Sequence, residues 1–162
     1  MNHLHAYWRM EYVTQETSPA ERRPFVDLPK LGDDRATLII SRETHSFILM
    51  NRYPYNAGHL LVLPLREVAD LEDLTDEERL CFMNTTIKAK QLLVKALKPD
   101  GFNVGINLGE AAGAGIPRHL HLHVVPRWKG DTNFMPVLGD TRVLPQSLDA
   151  MWTHLTNTLA TL

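Results

Sequence analysis

The sequence predicts an α+β domain that is built on an antiparallel sheet. Three short apolar runs, "ATLIIS", "HSFILMN" and "HLLVLP", are separated by turn-like segments, which is typical of a three-stranded meander. A long segment with helical spacing follows, and two further strand-like runs, "GFNVGINLG" and "HLHLHVVP", come after it. About five strands with one long helix among them indicate an α+β architecture.

Size and charge restrict the class of protein further. The chain has 162 residues, of which 44% are hydrophobic, as expected for one globular domain. Seventeen Lys and Arg against nineteen Asp and Glu give a formal charge of −2, which disfavours a nucleic-acid polymer as partner.

Cys81 is the only cysteine in the sequence, so there is no intramolecular disulfide or cysteine-based zinc ribbon. No apolar run reaches the roughly 18 residues of a membrane span, and the N-terminus lacks a signal-peptide core, so we expect a cytoplasmic protein without membrane contact.

The chain ends flank the sheet region. Residues 1–35, interrupted by Pro19, Pro24 and Pro29, are expected to form an irregular arm that lies on the domain or on a partner subunit. Residues 36–135 carry the predicted sheet and long helix. Residues 136–162 form a C-terminal extension, with a terminal helix expected from Ser147 to Leu162.

The long helix has clear start and stop signals. Thr75 followed three residues later by Glu78 matches a capping box, and Pro99 with Gly101 ends the helix near Lys98. Apolar side chains recur at near-helical spacing, so we expect their face to pack on the sheet. These residues are Leu80, Met83, Ile87, Val94 and Leu97.

Three of the eight histidines alternate within "RHLHLHVVPRW". On a β-strand His119, His121 and His123 would share one face at intervals of roughly 6.5–7 Å, and the intervening leucines would face the core. Four interpretations follow: strand histidines without a role, a zinc site, a nucleic-acid end-processing site, and a nucleotide-transfer site. The zinc site lacks a companion ligand motif and the end-processing site lacks a basic patch. Nucleotide transfer suits the chemistry, because neutral imidazole is a competent nucleophile and a neighbouring histidine can act as the acid.

The motif "HLHLHVV" resembles the signature of the histidine triad (HIT) superfamily of nucleotide hydrolases and transferases, and the resemblance extends over residues 36 to 135. "SFILMNRYPYNAGHLLVLPLREVADLEDLTDEE" is similar to the first half of the family's domain and "GFNVGINLGEAAGAGIPRHLHLHVVPRWKGDTNF" to its second half. The chain looks nearest to bacterial diadenosine tetraphosphate hydrolases or phosphorylases of the fragile-histidine-triad branch. The resemblance implies a HIT-like fold and a two-fold homodimer.

The resemblance also implies roles for the histidines. His121 would attack the α-phosphorus and become the nucleotidyl-histidine. His123 would help to protonate the leaving group, and His119 would support the site. His59 of "AGH" would supply a fourth histidine behind the triad.

Further residues match positions that bind the nucleotide in the family. Asn51 matches a side chain that binds the ribose hydroxyls, and Asn107 matches one that contacts the phosphate and leaving group. Phe47, Ile48 and Leu49 would flank the base, and only alternate ones of these share a face.

The loop before the triad departs from the family pattern. Many members carry Gln, Ser or Thr there, whereas this chain has Gly115 and Ile116 in "GAGIPR". We expect Gly113 and Gly115 to direct backbone N–H groups at the phosphate instead.

The predicted function is hydrolysis or phosphorolysis of dinucleoside polyphosphates, such as diadenosine tetraphosphate, or of other nucleoside-phosphate conjugates. A non-catalytic nucleotide-binding or scaffold protein of the same fold is the alternative. No metal site and no tightly bound cofactor is expected, and Mg²⁺ would enter only with the polyphosphate.

Overall fold

The computed structural model describes residues 23–131, 134, 138 and 145–162. Most of the expected N-terminal arm, residues 1–22, lies outside the described residues. The sheet consists of β1 (Ile39–Arg42), β2 (Ser46–Met50), β3 (Leu60–Pro64), β4 (Gly101–Ile106) and β5 (Leu122–Arg127). The α-helices are α1 (Pro24–Asp27), α2 (Asp34–Thr37), α3 (Asp76–Leu97) and α4 (Leu148–Leu159), with 3₁₀ turns at Leu28–Leu31, Leu71–Asp73 and Glu110–Ala112. The predicted α+β architecture of five strands, a long helix and a terminal helix is therefore confirmed.

The five strands form one antiparallel sheet in the order β1-β2-β3-β5-β4. β2 and β3 are buried along their whole length, because their continuous apolar runs present large side chains to both faces. β5 lies between β3 and β4, so the end of the histidine segment reaches the interior of the sheet.

The long helix begins and ends where its sequence signals predict. The Glu78 backbone N–H donates to the Thr75 hydroxyl at 3.2 Å, and the Thr75 N–H donates to the Glu78 carboxylate at 2.9 Å, which completes the capping box. Lys98 ends the helix in a left-handed conformation with φ of 47°.

The prediction of which face of α3 packs on the sheet is wrong. Leu80, Met83, Ile87 and Val94 are 65%, 52%, 48% and 48% exposed, and Leu97 is half-buried. The sheet is covered by the opposite face, whose smaller side chains allow close approach and whose larger ones fill the core. The buried residues on it are Phe82, Thr85, Thr86, Ala89, Leu92 and Leu93. Both faces of α3 carry apolar residues. A prediction from helical spacing therefore chose the face with the bulkier side chains, although the sheet covers the other one.

Both flanking segments contribute to the core. Phe25 of α1 is 8% exposed, and Met151 and Leu155 of α4 are 4% and 0% exposed. Trp152 of α4 donates from its indole Nε1 to the carbonyl of Ile39 at 2.9 Å. The division of the chain at residues 35 and 135 stays a prediction.

Among the described residues, no helix has both the length and the apolar character needed to cross a bilayer. The cytoplasmic location stays a prediction.

Candidate active site

The histidine segment enters the sheet later than predicted. β5 begins at Leu122, so His119 and His121 precede the strand and only His123 lies on it. The Leu120 N–H donates to the Val68 carbonyl rather than to a strand neighbour, at 2.6 Å, which turns this part of the chain away from the ladder. The prediction of three histidines on one strand face is therefore wrong for His119 and His121.

The His121 side chain has a defined orientation. Its Nδ1 lies 2.8 Å from the carbonyl oxygen of His119. A carbonyl only accepts, so Nδ1 carries the proton and, in the neutral ring, the lone pair is on Nε2. His121 is 6% exposed, lines a cavity at the sheet, and has its ring centroid 5.2 Å from that of His123. The arrangement presents a nucleophilic nitrogen beside a second imidazole.

His119 lies behind this pair and is not among the residues that line the cavity. Its Nε2 donates to the carbonyl of Pro64 at 2.8 Å, and the ring is 1% exposed. Burial lowers the pKa of His119, although the Pro64 carbonyl and Glu67 favour the charged form. A neutral His119 therefore anchors the segment whose carbonyl orients His121.

His59 and His123 form a hydrogen-bonded pair. The Tyr55 backbone N–H donates to Nδ1 of His59 at 3.0 Å, so in the neutral ring Nε2 of His59 carries the proton. This Nε2 lies 2.9 Å from Nδ1 of His123 and donates to it. The proton of a neutral His123 is then on Nε2, where it can donate a hydrogen bond to a substrate oxygen.

Asn51 follows β2 and lines the same cavity. Its Oδ1 accepts from the Tyr53 N–H at 2.9 Å, and its Nδ2 lies 3.3 Å from Nδ1 of His59. Asn51 thus links the turn that carries His59 to the mouth of the cavity.

The cavity is about 190 Å³ in volume and joins an apolar region to the imidazoles. Its apolar side chains are Pro24, Phe25, Leu28, Leu38, Leu49, Met50, Leu61 and Ile116, and its polar ones include Thr37, Asn51, Arg52, Tyr53 and Tyr55. In the described part of the chain the lining includes no carboxylate, and Arg52 is its one formally charged group. Such a cavity suits a flat apolar group that is joined to an anion.

The other predicted binding residues are divided between the cavity and its surroundings. Leu49 and Gly115 line it. Phe47, fully buried, lies in the core instead, and Asn107, half-buried after β4, is not among the lining residues. Gly113 has a φ of 91°, in the region that favours glycine, but does not reach the cavity wall.

Sequence reasoning missed the contribution of α1. The Phe25 ring lies 5.7 Å from that of His119 and 5.4 Å from that of His121, centroid to centroid. Proline at the first helical position, with Phe25 and Leu28 three residues apart, is the local signal in the sequence that indicates a short amphipathic turn here. Tyr55 was also missed, and its ring lies 4.6 Å from that of His59.

In the described part of the chain, no group of three or more His, Cys, Asp or Glu side chains could hold a metal ion. The facing nitrogens of His59 and His123 are instead joined by a hydrogen bond.

Residues 34–130 match the sequence model of the HIT domain. The chain belongs to the HIT family. A relative in Mycobacterium tuberculosis named AP-4-A phosphorylase is 43% identical over 148 residues, which cover 87% of this HIT protein and 75% of the relative. An asymmetrical bis(5'-nucleosyl)-tetraphosphatase of Schizosaccharomyces pombe is 36% identical over 93 residues, which cover 57% of this chain and 50% of the relative.

Solved structures have the same fold. A hypothetical histidine triad nucleotide-binding protein from Sulfolobus tokodaii superposes with a TM-score of 0.71 at 18% identity, over 86% of this HIT protein and 93% of the other, which supports the fold alone. The NitFhit protein of C. elegans superposes with a TM-score of 0.61 at 28% identity, over 76% of this chain and 27% of the other.

Proposed function

We propose that this HIT protein cleaves dinucleoside polyphosphates, such as diadenosine tetraphosphate, through a nucleotidyl intermediate on His121. The observation that carries the proposal is the 2.8 Å hydrogen bond from His121 Nδ1 to the His119 carbonyl, since it leaves the lone pair on Nε2 of a ring that lines the cavity. The names of the two relatives support the substrate class.

The reaction takes place as two displacements at the same phosphorus, and the first forms the nucleotidyl-histidine. His121 Nε2 attacks the α-phosphorus, a P–N bond forms, and the bond from that phosphorus to its bridging oxygen breaks. The Nε2–H of His123 donates a hydrogen bond to the departing oxygen and stabilises its developing charge, so that ATP leaves diadenosine tetraphosphate as an anion with the bonding electron pair. His59 holds His123 in the tautomer that this step needs.

Inorganic phosphate is the acceptor that we propose for the second step. A phosphate oxygen attacks the same phosphorus, a P–O bond forms, and the P–N bond breaks with its electron pair returning to His121 Nε2, so that ADP leaves and the phosphate proton passes to solvent. The relative that shares 43% identity over most of this chain is named a phosphorylase, which supports phosphate over water.

Binding roles follow from the lining of the cavity. We propose that the apolar region around Leu49 and Phe25 takes the base, and that Asn51 reaches the ribose hydroxyls. Gly115 and the neighbouring backbone would approach the α-phosphate, with Gly113 shaping the loop and Asn107 reaching the leaving group from outside the cavity.

The deciding experiment supplies diadenosine tetraphosphate with and without inorganic phosphate and identifies the nucleotides released. We expect ADP and ATP only with phosphate; AMP and ATP without it would make the protein an asymmetric hydrolase.

His121→Ala should abolish turnover and the adduct seen by intact-mass analysis, whereas His45→Ala, outside the cavity, should keep both. Substantial turnover by His121→Ala would refute the nucleophile, and tight nucleotide binding without any product would favour the scaffold alternative.

We further propose that the exposed face of α3 forms a two-fold dimer interface. Leu80, Met83, Ile87 and Val94 are between 48% and 65% exposed, and Val104 on the edge strand β4 is 50% exposed. The Lys90 ammonium lies 5.9 Å from the Phe102 ring centroid, so helix face and strand are neighbours. A contiguous apolar patch beside an edge strand is typical of an interface.

Sedimentation equilibrium tests the dimer. The wild-type chain should sediment as a dimer, and Ile87→Glu, which places a charge within the patch, should shift it to monomer. Glu72→Lys, an exposed charge change outside the patch, should leave the dimer intact. A wild-type monomer at micromolar concentration would exclude the interface.

A further inference from the structure

The C-terminal helix α4 lies outside the residues that match the HIT domain, yet it holds a segment of the cavity wall. Asp149 accepts two hydrogen bonds from the Arg35 guanidinium, at 2.7 and 2.8 Å. The same guanidinium lies 5.3 Å from the centroid of the Trp152 ring, a cation–π distance. Two residues of α4 therefore hold one residue of α2.

A second attachment lies four residues further along the chain. Trp152 Nε1 donates to the carbonyl of Ile39 at 2.9 Å. Arg35 and Ile39 stand on either side of residues 36–38, so both ends of this short segment are fixed to the same helix.

The segment between the two attachments forms part of the cavity. Thr37 and Leu38 line it, and Arg52 donates to the Ala36 carbonyl at 3.3 Å. Leu38 is 7% exposed and has a φ of 65°, a left-handed conformation that side-chain-bearing residues rarely adopt. Such a conformation persists only where the surrounding structure enforces it.

We propose that α4 is a positioning element of the nucleotide cavity: Asp149 and Trp152, acting through Arg35 and Ile39, hold the wall formed by Thr37 and Leu38. This proposal rests on the proposed function only for the nature of the ligand. The attachment controls how tightly the cavity binds the nucleotide and takes no part in the chemistry at phosphorus.

The expected kinetic signature follows from where the attachment acts. The wall contacts the nucleotide equally before and during phosphoryl transfer, whereas His121 and His123 are held by other elements. Loss of such uniform binding raises KM and leaves kcat unchanged. Arg35 and Asp149 are 53% and 66% exposed in their side chains, and exposed ion pairs contribute modestly, so we expect about a threefold to tenfold rise in KM when both attachments are removed.

The experiment compares Asp149→Asn, Trp152→Phe and the double variant with the wild-type chain. For each, kcat and KM for diadenosine tetraphosphate, the AMP dissociation constant and the thermal midpoint are measured. The double variant should raise KM and the AMP dissociation constant by the same factor, with kcat within twofold of wild type. His154→Ala is the matched control, because it removes a 3.0 Å contact from the same helix to the Ala96 carbonyl of α3 and leaves Arg35 and Ile39 attached.

Each outcome supports or overturns the positioning role. A change in kcat at constant KM, unchanged constants in the double variant, or an equal rise of KM in His154→Ala would overturn it. A wild-type chain without turnover would contradict the proposed function. The AMP dissociation constants of the variants would then still test whether α4 positions the cavity wall. Absence of AMP binding to the wild-type chain would overturn both.

Discussion

His59 Nε2 lies 2.9 Å from His123 Nδ1, and the backbone N–H of Tyr55 occupies the other nitrogen of His59. When both rings are neutral, a single main-chain donor thus determines which nitrogen carries the proton, first in His59 and then in His123. The consequence is that a turn outside the triad determines which nitrogen of His123 carries the proton.

Replacement of His59 should therefore weaken the hydrogen bond that His123 donates to the leaving group. His59→Phe removes the donor to His123 and with it the fixed position of the His123 Nε2–H, so we expect kcat for diadenosine tetraphosphate to fall roughly tenfold to hundredfold, up to the loss that follows removal of one donor to a developing negative charge. The 4-nitrophenyl ester of AMP, whose leaving group needs no proton, should lose less than threefold in the same assay. Equal losses for both substrates would show that His59 acts by packing alone.

Phe25 should control the apolar region of the cavity. Phe25→Ala removes a ring that contacts His119 and His121, so we expect kcat/KM to fall at least tenfold and stability to fall by about 3 kcal/mol. Phe25→Leu, which keeps most of the apolar volume, should show a smaller loss of both. Urea unfolding and steady-state kinetics provide the two measurements; a full loss of activity in Phe25→Leu would indicate that the aromatic ring itself is needed.

Gly58, which precedes His59, should tolerate no side chain. Its φ is 75°, and a Cβ there would lie 2.5 Å from a methyl group of Leu97 and 3.3 Å from one of Leu93. Gly109 has a similar φ of 78° but open space around it, so it is a matched control for backbone strain alone. We expect Gly58→Ala to lower the free energy of unfolding by roughly 2–4 kcal/mol and Gly109→Ala by about 1 kcal/mol. If urea unfolding shows equal losses in the free energy of unfolding for both variants, the Leu97 side chain moves away from the new methyl group at no cost.

Stability should fall in acid partly through Glu78. Hydrogen bonds from Arg66 and from the Thr75 N–H lower the pKa of Glu78 from 4.5 to about 2. A lowered pKa favours the folded state above the ordinary value, and this contribution is lost as the pH falls from 4.5 towards 2. Glu78→Gln should cost about 1 kcal/mol at pH 7, and the difference from wild type should shrink across that interval. The exposed Glu77→Gln provides the control in the same denaturation series, and a constant difference for Glu78→Gln would contradict the shifted pKa.

Local signals predicted the elements well because they act within a few residues. The capping box of Thr75 and Glu78, the alternation in the apolar runs and Pro99 are each read within one or two turns of chain. The course of residues 119–121 was not predicted, because the Leu120 N–H bonds to Val68, about fifty residues away in the sequence. The packed face of α3 was not predicted either, because both faces carry apolar residues and only the sheet determines which is buried.

In the candidate active site, too, some features could be predicted from the sequence and others depend on contacts between distant residues. The alternating histidines were visible in the sequence, and its resemblance to the histidine triad motif indicated the family, the role of His59 and the substrate class. The tertiary structure decided which nitrogen of each histidine bears a proton, because that depends on the Pro64, His119 and Tyr55 backbone groups that face them. It also brought Phe25 into the lining of the cavity and placed Trp152 against the Ile39 carbonyl next to that lining, since both contacts join residues far apart in the sequence.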